Sequence, residues 1–180
     1  MSFAGKSIAI TGASSGLGLC LSREFAAQGG RLALMARDEE RLEKAAIECG
    51  ENVLIFPGDV TNPDDCKNFI GKVIGEYGAI DHLIASAGQS MWARFEDVED
   101  LSLYRRLLEV NFLGVVNCIH PALSPLKKSH GQIVVISSIQ AKVGVPFHSG
   151  YGASKHALEG FIDTLHYELD GTDINLLKVY

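Results

Sequence analysis

The chain has 180 residues, 47% of them hydrophobic and 21% charged, which is the make-up of one soluble globular domain with a sizeable core. Sixteen lysines and arginines against 22 aspartates and glutamates leave a net charge of −6, which argues against a nucleic-acid partner, since that needs a basic face. Cys20, Cys49, Cys66 and Cys118 form no CxxC pair and no zinc-ligand spacing, so no metal site is expected and the thiols suit a reducing compartment.

The first strand is reached by Ser7, leaving no room for a signal peptide, and no apolar run approaches the length of a membrane span. A cytoplasmic location is expected. Ser7 to Thr11 (SIAIT) reads as a short strand, followed by TGASSGLG and a helix to about Gln28, stopped by Gly29-Gly30. Leu17, Cys20, Leu21 and Phe25 form its apolar stripe. Glycines at a strand-to-helix turn let the backbone approach a pyrophosphate, which sits on the free N–H groups of the helix N-terminus. Gly12, Ser14, Ser15, Gly16, Leu17 and Gly18 are therefore candidate cofactor-binding residues, although a glycine-rich turn alone is a weak signal.

Arg31 to Ala36 is strand two, and a charged helix runs from Glu39 to Cys49. Dinucleotide enzymes selective for an unphosphorylated ribose place an acid near the end of strand two. Ala36 holds that place here, and Arg37 offers a planar cation suited to a 2′-phosphate, so NADP(H) is expected over NAD(H). Asp38 has three open roles: reaching the ribose, pairing with Arg37, or capping the helix.

Val53 to Phe56 is strand three, and Asp59-Val60 follows, with Asp59 a candidate for serving a turn. Thr61 or Asn62 caps a helix with Pro63 at its first position, ended by Gly78. Asp81 to Ala87 is strand four, closing on Ser86-Ala87-Gly88, where small residues let the backbone approach a cofactor. Met91, Trp92 and Phe95 form either a substrate wall or a cover for the core. A long helical stretch from about Leu101 to Leu126 carries Leu103, Leu107, Val110 and Leu113, with Asn111 interrupting the apolar face. Pro121 and Pro125 should break or end it.

Strand five starts at Ile133 and delivers Ser137 and Ser138, only one of which can face a site because strand side chains alternate. Val143, Val145 and Phe147 are expected pocket residues, and His148 a pocket or surface His. Tyr151 opens a helix to Asp170, with Lys155 four residues on and so on the same face. A phenol titrates near pH 10, and a neighbouring ammonium favours the phenolate, which makes such a Tyr usable for proton transfer. The pair alone favours a surface Tyr beside a solvated Lys, because Lys is common. Ile174 to Tyr180 is strand six.

In this order, TGASSGLG, Ser138, Tyr151 and Lys155 resemble the short-chain dehydrogenase/reductase family over nearly the whole chain. The resemblance implies that Ser138 polarises the substrate oxygen, Tyr151 is the acid/base, and Lys155 binds the nicotinamide ribose. It selects Ser138 over Ser137 by the interval to Tyr151. Asp59 and Val60 would meet the adenine, and Ser86, Ala87 and Gly88 would line the cofactor where relatives read Asn-Asn-Ala-Gly. Asn111 would hold a water linked to Lys155.

Strands alternating with helices imply an α/β, doubly wound parallel sheet (a Rossmann fold) over residues 1–180, in the order 3-2-1-4-5-6. The family's last strand, its Pro-Gly turn and a mobile substrate segment are missing, so the sequence is expected to be C-terminally incomplete. The implied activity is hydride transfer between NADP(H) and a ketone or secondary alcohol, in a homodimer or homotetramer. Lipophilic substrates such as steroids or sphingoid bases are the expected kind. A non-catalytic NADP-binding sensor and a nucleotide-sugar epimerase or dehydratase are the alternatives. The latter favours Gly-x-x-Gly-x-x-Gly, which Gly12, Gly16 and Gly18 do not follow.

Overall fold

A computed structural model describes residues 2–51 and 53–180. Six parallel strands, β1 (Ser7–Thr11), β2 (Arg31–Ala36), β3 (Val53–Pro57), β4 (His82–Ala85), β5 (Gln132–Ile136) and β6 (Asn175–Val179), form one sheet in the order β3-β2-β1-β4-β5-β6. This is the doubly wound order inferred from the sequence. Each strand is joined to the next by helix: α1 (Gly16–Ala27), α2 (Glu39–Cys49), α3 (Pro63–Tyr77), α4 (Ser102–Leu108), α5 (Gly114–Ser129) and α6 (Ser149–Glu168).

Strand side chains alternate faces, and this divides the core. Ile8, Ile10, Leu32, Leu34 and Ile84 pack beneath α1 and α2. Ala9, Ala33, Met35, Leu83, Ile133 and Val135 pack beneath α3, α5 and α6. The stripe expected on α1 is shifted: Leu17 and Cys20 are exposed, while Gly18 and Ser22 are buried against the sheet.

The two central strands are tied at both ends. At the amino end, Asp81 Oδ2 accepts from the Ser7 amide and hydroxyl (both 2.9 Å), and Lys6 Nζ donates to Oδ1 at 2.8 Å. At the carboxyl end, the buried Thr11 Oγ1 accepts from the Ser86 and Ala87 amides, each at 3.2 Å. These bonds take the two amides out of the ladder, so β4 ends at Ala85 rather than at Ala87. They also brace the two central strands at this edge. Thr11→Val leaves two amides without an acceptor, and each orphan costs about 1–3 kcal/mol. The expected result is a loss of about 2–6 kcal/mol in urea unfolding with an unchanged m-value.

The helix expected over residues 101–126 departs from expectation twice. A π-helical turn, Glu109–Leu113, separates α4 from α5, with the Gly114 amide bonded to Glu109 O. Neither Pro121 nor Pro125 ends the helix, which runs to Ser129. Each proline forfeits one backbone bond, and burial of Cys118, Ile119, Ala122 and Leu126 on the sheet holds the helix regardless. Ser102–Ser129 is also long and apolar enough to cross a membrane, contrary to expectation, although its apolar face is spent on the sheet. Helix α6 begins at Ser149, two residues before Tyr151.

Candidate active site

The carboxyl ends of β1, β2, β4 and β5 open on a cleft of about 650 Å³. Gly12, Ser14, Ser15, Gly16, Leu17, Gly18, Arg37, Asp59, Val60, Ser86, Ala87 and Gly88 all line it. The glycine turn packs backbone against backbone, with no room for side chains. Gly12 has φ +67°, and a Cβ there would lie 2.7 Å from Ala87 Cα. A Cβ on Gly18 would lie 2.4 Å from Gly12 O. Ser15 occupies the N-cap of α1 without a side-chain capping bond, leaving the first-turn amides to an anion. Backbone approach and free amides together fit a dinucleotide pyrophosphate.

At the outer end of β2, Asp38 takes the capping role: its carboxylate accepts from the Arg41 amide at 3.0 Å and pairs with Arg41 Nε at 3.2 Å. Arg37 is exposed on the cleft wall and has no hydrogen-bond partner among the described residues. Arg41 lines the same cleft and was not singled out from the sequence. Asp59 Oδ1 accepts from the Thr61 amide at 2.9 Å, the turn-serving role.

Tyr151, Lys155, Ser138 and Asn111 sit beyond the inner end of the cleft rather than in its wall. Lys155 is buried, 4% exposed, and its Nζ donates to Ile136 O at 2.9 Å. That carbonyl belongs to a cleft-lining residue. Burial pushes the Lys155 ammonium down to about 8. Its Nζ lies 5.8 Å from the Tyr151 ring centroid, so the pair shares one face of α6.

The two serines part as strand alternation requires. Ser138 Oγ accepts from the Gln140 amide at 3.2 Å and keeps its own proton free to donate. Ser137 is buried and turns to Glu159, 3.4 Å away.

Asn111 lies in the π turn, fully buried. Its Oδ1 accepts from the Gln89 amide, and its Nδ2 donates to Gln89 O, each at 2.8 Å. A second Nδ2 bond, 2.9 Å, reaches Ser154 Oγ, which in turn donates to Tyr151 O at 2.7 Å. Both Nδ2 protons are thus engaged, and the side chain clamps the β4 exit loop to the helix of Tyr151 and Lys155. Gln89 and Ser154 were missed because an ordinary Gln in a loop and Ser in a helix carry no sequence signal.

Three residues expected to line the pocket stand outside the cleft, and so does His148, expected as a pocket or surface His. Val143, Val145 and Phe147 are exposed, and His148 bonds Pro146 O through Nδ1 at 3.0 Å. Of the preceding loop, Met91 is buried under Gly150, whose amide points at its sulfur, while Phe95 is exposed. Trp92, also exposed, stacks near Phe147 (5.2 Å) and His148 (4.9 Å), and His148 reaches Tyr151 at 6.1 Å. These rings form an open aromatic ridge beside Tyr151.

A family model described as short chain dehydrogenase matches residues 6–180. The chain belongs to the short-chain dehydrogenase family. It is 42% identical over 179 residues to 11-beta-hydroxysteroid dehydrogenase 1A of Arabidopsis thaliana, covering 97% of this chain and 51% of that protein. It is 36% identical over 185 residues to dehydrogenase/reductase SDR family protein 7-like of Dictyostelium discoideum, covering 98% and 58%. This short-chain dehydrogenase chain therefore spans about half the length of the curated relatives it matches. Among solved structures it matches an alcohol dehydrogenase from the archaeon Thermococcus sibiricus complexed with 5-hydroxy-NADP. That match has a TM-score of 0.90 and 32% identity, covering 96% of this chain and 74% of that one.

Proposed function

We propose that the protein is an NADP(H)-dependent oxidoreductase acting on a ketone or secondary alcohol, with Tyr151 as acid/base. The observation that carries this reading is a glycine-walled cleft with two arginines at one end and a buried lysine beside a tyrosine at the other. In that cleft the glycine turn and first-turn amides of α1 hold the pyrophosphate, Arg37 and Arg41 hold the 2′-phosphate, and Asp59 and Val60 flank the adenine. Bound there, the nicotinamide supplies or accepts the hydride.

In reduction, the Tyr151 hydroxyl gives its proton to the carbonyl oxygen while Ser138 donates a hydrogen bond to the same oxygen as negative charge builds. Lys155 holds the ribose and keeps a positive charge beside the phenol. In oxidation, Tyr151 takes the alcohol proton. Asn111, fixed in the π turn, holds a water that links to Lys155 and completes the proton relay.

The substrate is an apolar ketone or alcohol, steroid- or lipid-like. The exposed ridge of Trp92 and Phe147 supports this, as do relatives whose names are hydroxysteroid dehydrogenases. A homodimer or homotetramer is proposed with it, through the faces of α4, α5 and α6.

NADPH fluorescence titration followed by a ketone panel tests the reading. Binding without oxidation of NADPH by any ketone supports the sensor alternative instead. The arginine assignment has its own test: Arg37→Ala removes a charge-assisted contact and weakens NADPH binding about 10- to 100-fold while leaving NADH binding unchanged. A stronger affinity for NADH than for NADPH in the unmodified protein overturns the cofactor preference.

A further inference from the structure

A buried carboxylate outside the cleft gathers four donors. Glu159 is 6% exposed, and its Oε1 accepts from Lys142 Nζ (2.7 Å), Lys178 Nζ (2.6 Å) and the Tyr180 hydroxyl (2.7 Å). Its Oε2 faces the Ser137 hydroxyl at 3.4 Å. Burial alone would raise its pKa, but the bonds from Lys142, Lys178 and Tyr180 hold it at about 2, so it is ionised throughout the working pH range. Asp163, one turn further along α6, shares Lys178, and Lys142 lies 5.5 Å from the Tyr180 ring centroid.

The placement of these partners gives the cluster its meaning. Ser137 immediately precedes Ser138, and Lys142 closes the short turn Ile139–Ala141 that Ser138 caps. Glu159 therefore grips the Ser138 segment on both flanks. It does so from α6, two steps of i+4 spacing beyond Tyr151 and one beyond Lys155, about 6 Å along the axis from the lysine. Through Lys178 and the Ser137 amide, which donates to Val179 O at 2.7 Å, the same cluster ties in β6.

We propose that Glu159 is a positioning residue, fixing the Ser138 hydroxyl relative to Tyr151 and Lys155 and balancing the charge beside them. It touches neither substrate nor cofactor. The inference rests on the proposed roles of Ser138 and Tyr151. With Asp163, the cluster holds two carboxylates and two ammoniums. Losing one carboxylate leaves excess positive charge one turn from Lys155, so protons leave the Tyr151–Lys155 pair more readily. Losing one ammonium has the opposite effect.

The test compares Glu159→Gln, Lys178→Met and Lys142→Met with the unmodified full-length protein. NADPH oxidation is followed with the fastest ketone from a panel including cyclohexanone and acetophenone. Glu159→Gln is expected to lower kcat about tenfold through misplacement of the Ser138 hydroxyl, with the NADPH dissociation constant changed less than about twofold. Its pH–rate profile moves to lower pH and that of Lys178→Met to higher pH. Lys142→Met, a change at an exposed side chain that does not threaten folding, lowers kcat several-fold. An unchanged kcat in the Glu159 and Lys142 variants, or profiles of the Glu159 and Lys178 variants moving in the same direction, overturns the inference alone. Absence of turnover by the unmodified protein removes the proposed function, and this inference with it.

Discussion

Tyr151→Phe is expected to lower ketone reduction about a thousandfold while leaving NADPH binding within about threefold of the unmodified protein, since a positioned acid/base contributes roughly 10²–10⁴. The substitution deletes one oxygen and nothing structural. No described residue bonds that hydroxyl, and the ring keeps its edge contact with His148. Stopped-flow fluorescence for binding and steady-state NADPH oxidation for turnover separate the two effects. A variant that retains more than a tenth of the rate would remove Tyr151 from the proton path.

Lys155→Met is expected to move activity and stability in opposite directions. The ammonium is buried with one carbonyl partner and no facing carboxylate among the described residues. A shift from 10.5 to about 8 corresponds to roughly 3 kcal/mol of burial cost when the group is charged. Leaving Ile136 O without its donor returns about 1 kcal/mol of that. The variant without cofactor is therefore more stable by about 2 kcal/mol at pH 7, while turnover and ribose binding fall sharply. The sign comes from proton binding. Between about pH 8 and 10.5 the unfolded chain holds the proton and the folded one does not, so the unmodified protein gains stability as pH rises through that window. The advantage of the variant fades over the same range. Thermal denaturation at pH 7 and pH 10.5 checks both statements, and a destabilised variant at pH 7 would refute the first.

Much of this was legible in the sequence because it depends on local rules. Strand and helix alternation gave the parallel order, Asn62-Pro63 marked the start of α3, and Gly12 and Gly18 announced a turn with no room for side chains. What escaped depends on contacts between distant residues. Pro121 and Pro125 argue locally for a helix end, and only burial of Ile119, Ala122 and Leu126 overrules them. The early end of β4 is set by a hydroxyl 75 residues away, at Thr11. The Asn111 clamp needs Gln89 and Ser154, which no periodicity singles out. Val143 and Val145 read as pocket residues because they lie between Ser138 and Tyr151, but both are exposed.

The π turn at Glu109–Leu113 has a consequence for how this protein can change its length. Its closing bond spans five residues where an ordinary helix spans four. Shortening the chain by one residue here would let a regular helix form with every local bond satisfied, yet it would rotate the helix before the cut by about 100° relative to the helix after it. Leu107 would leave its place beneath α6, and the clamp on Gln89 would come apart. In a deletion scan this segment should yield chains that still coil but lose both the packing of Leu107 and the Asn111 clamp, marking the extra residue as the one that sets the phase between the two helices.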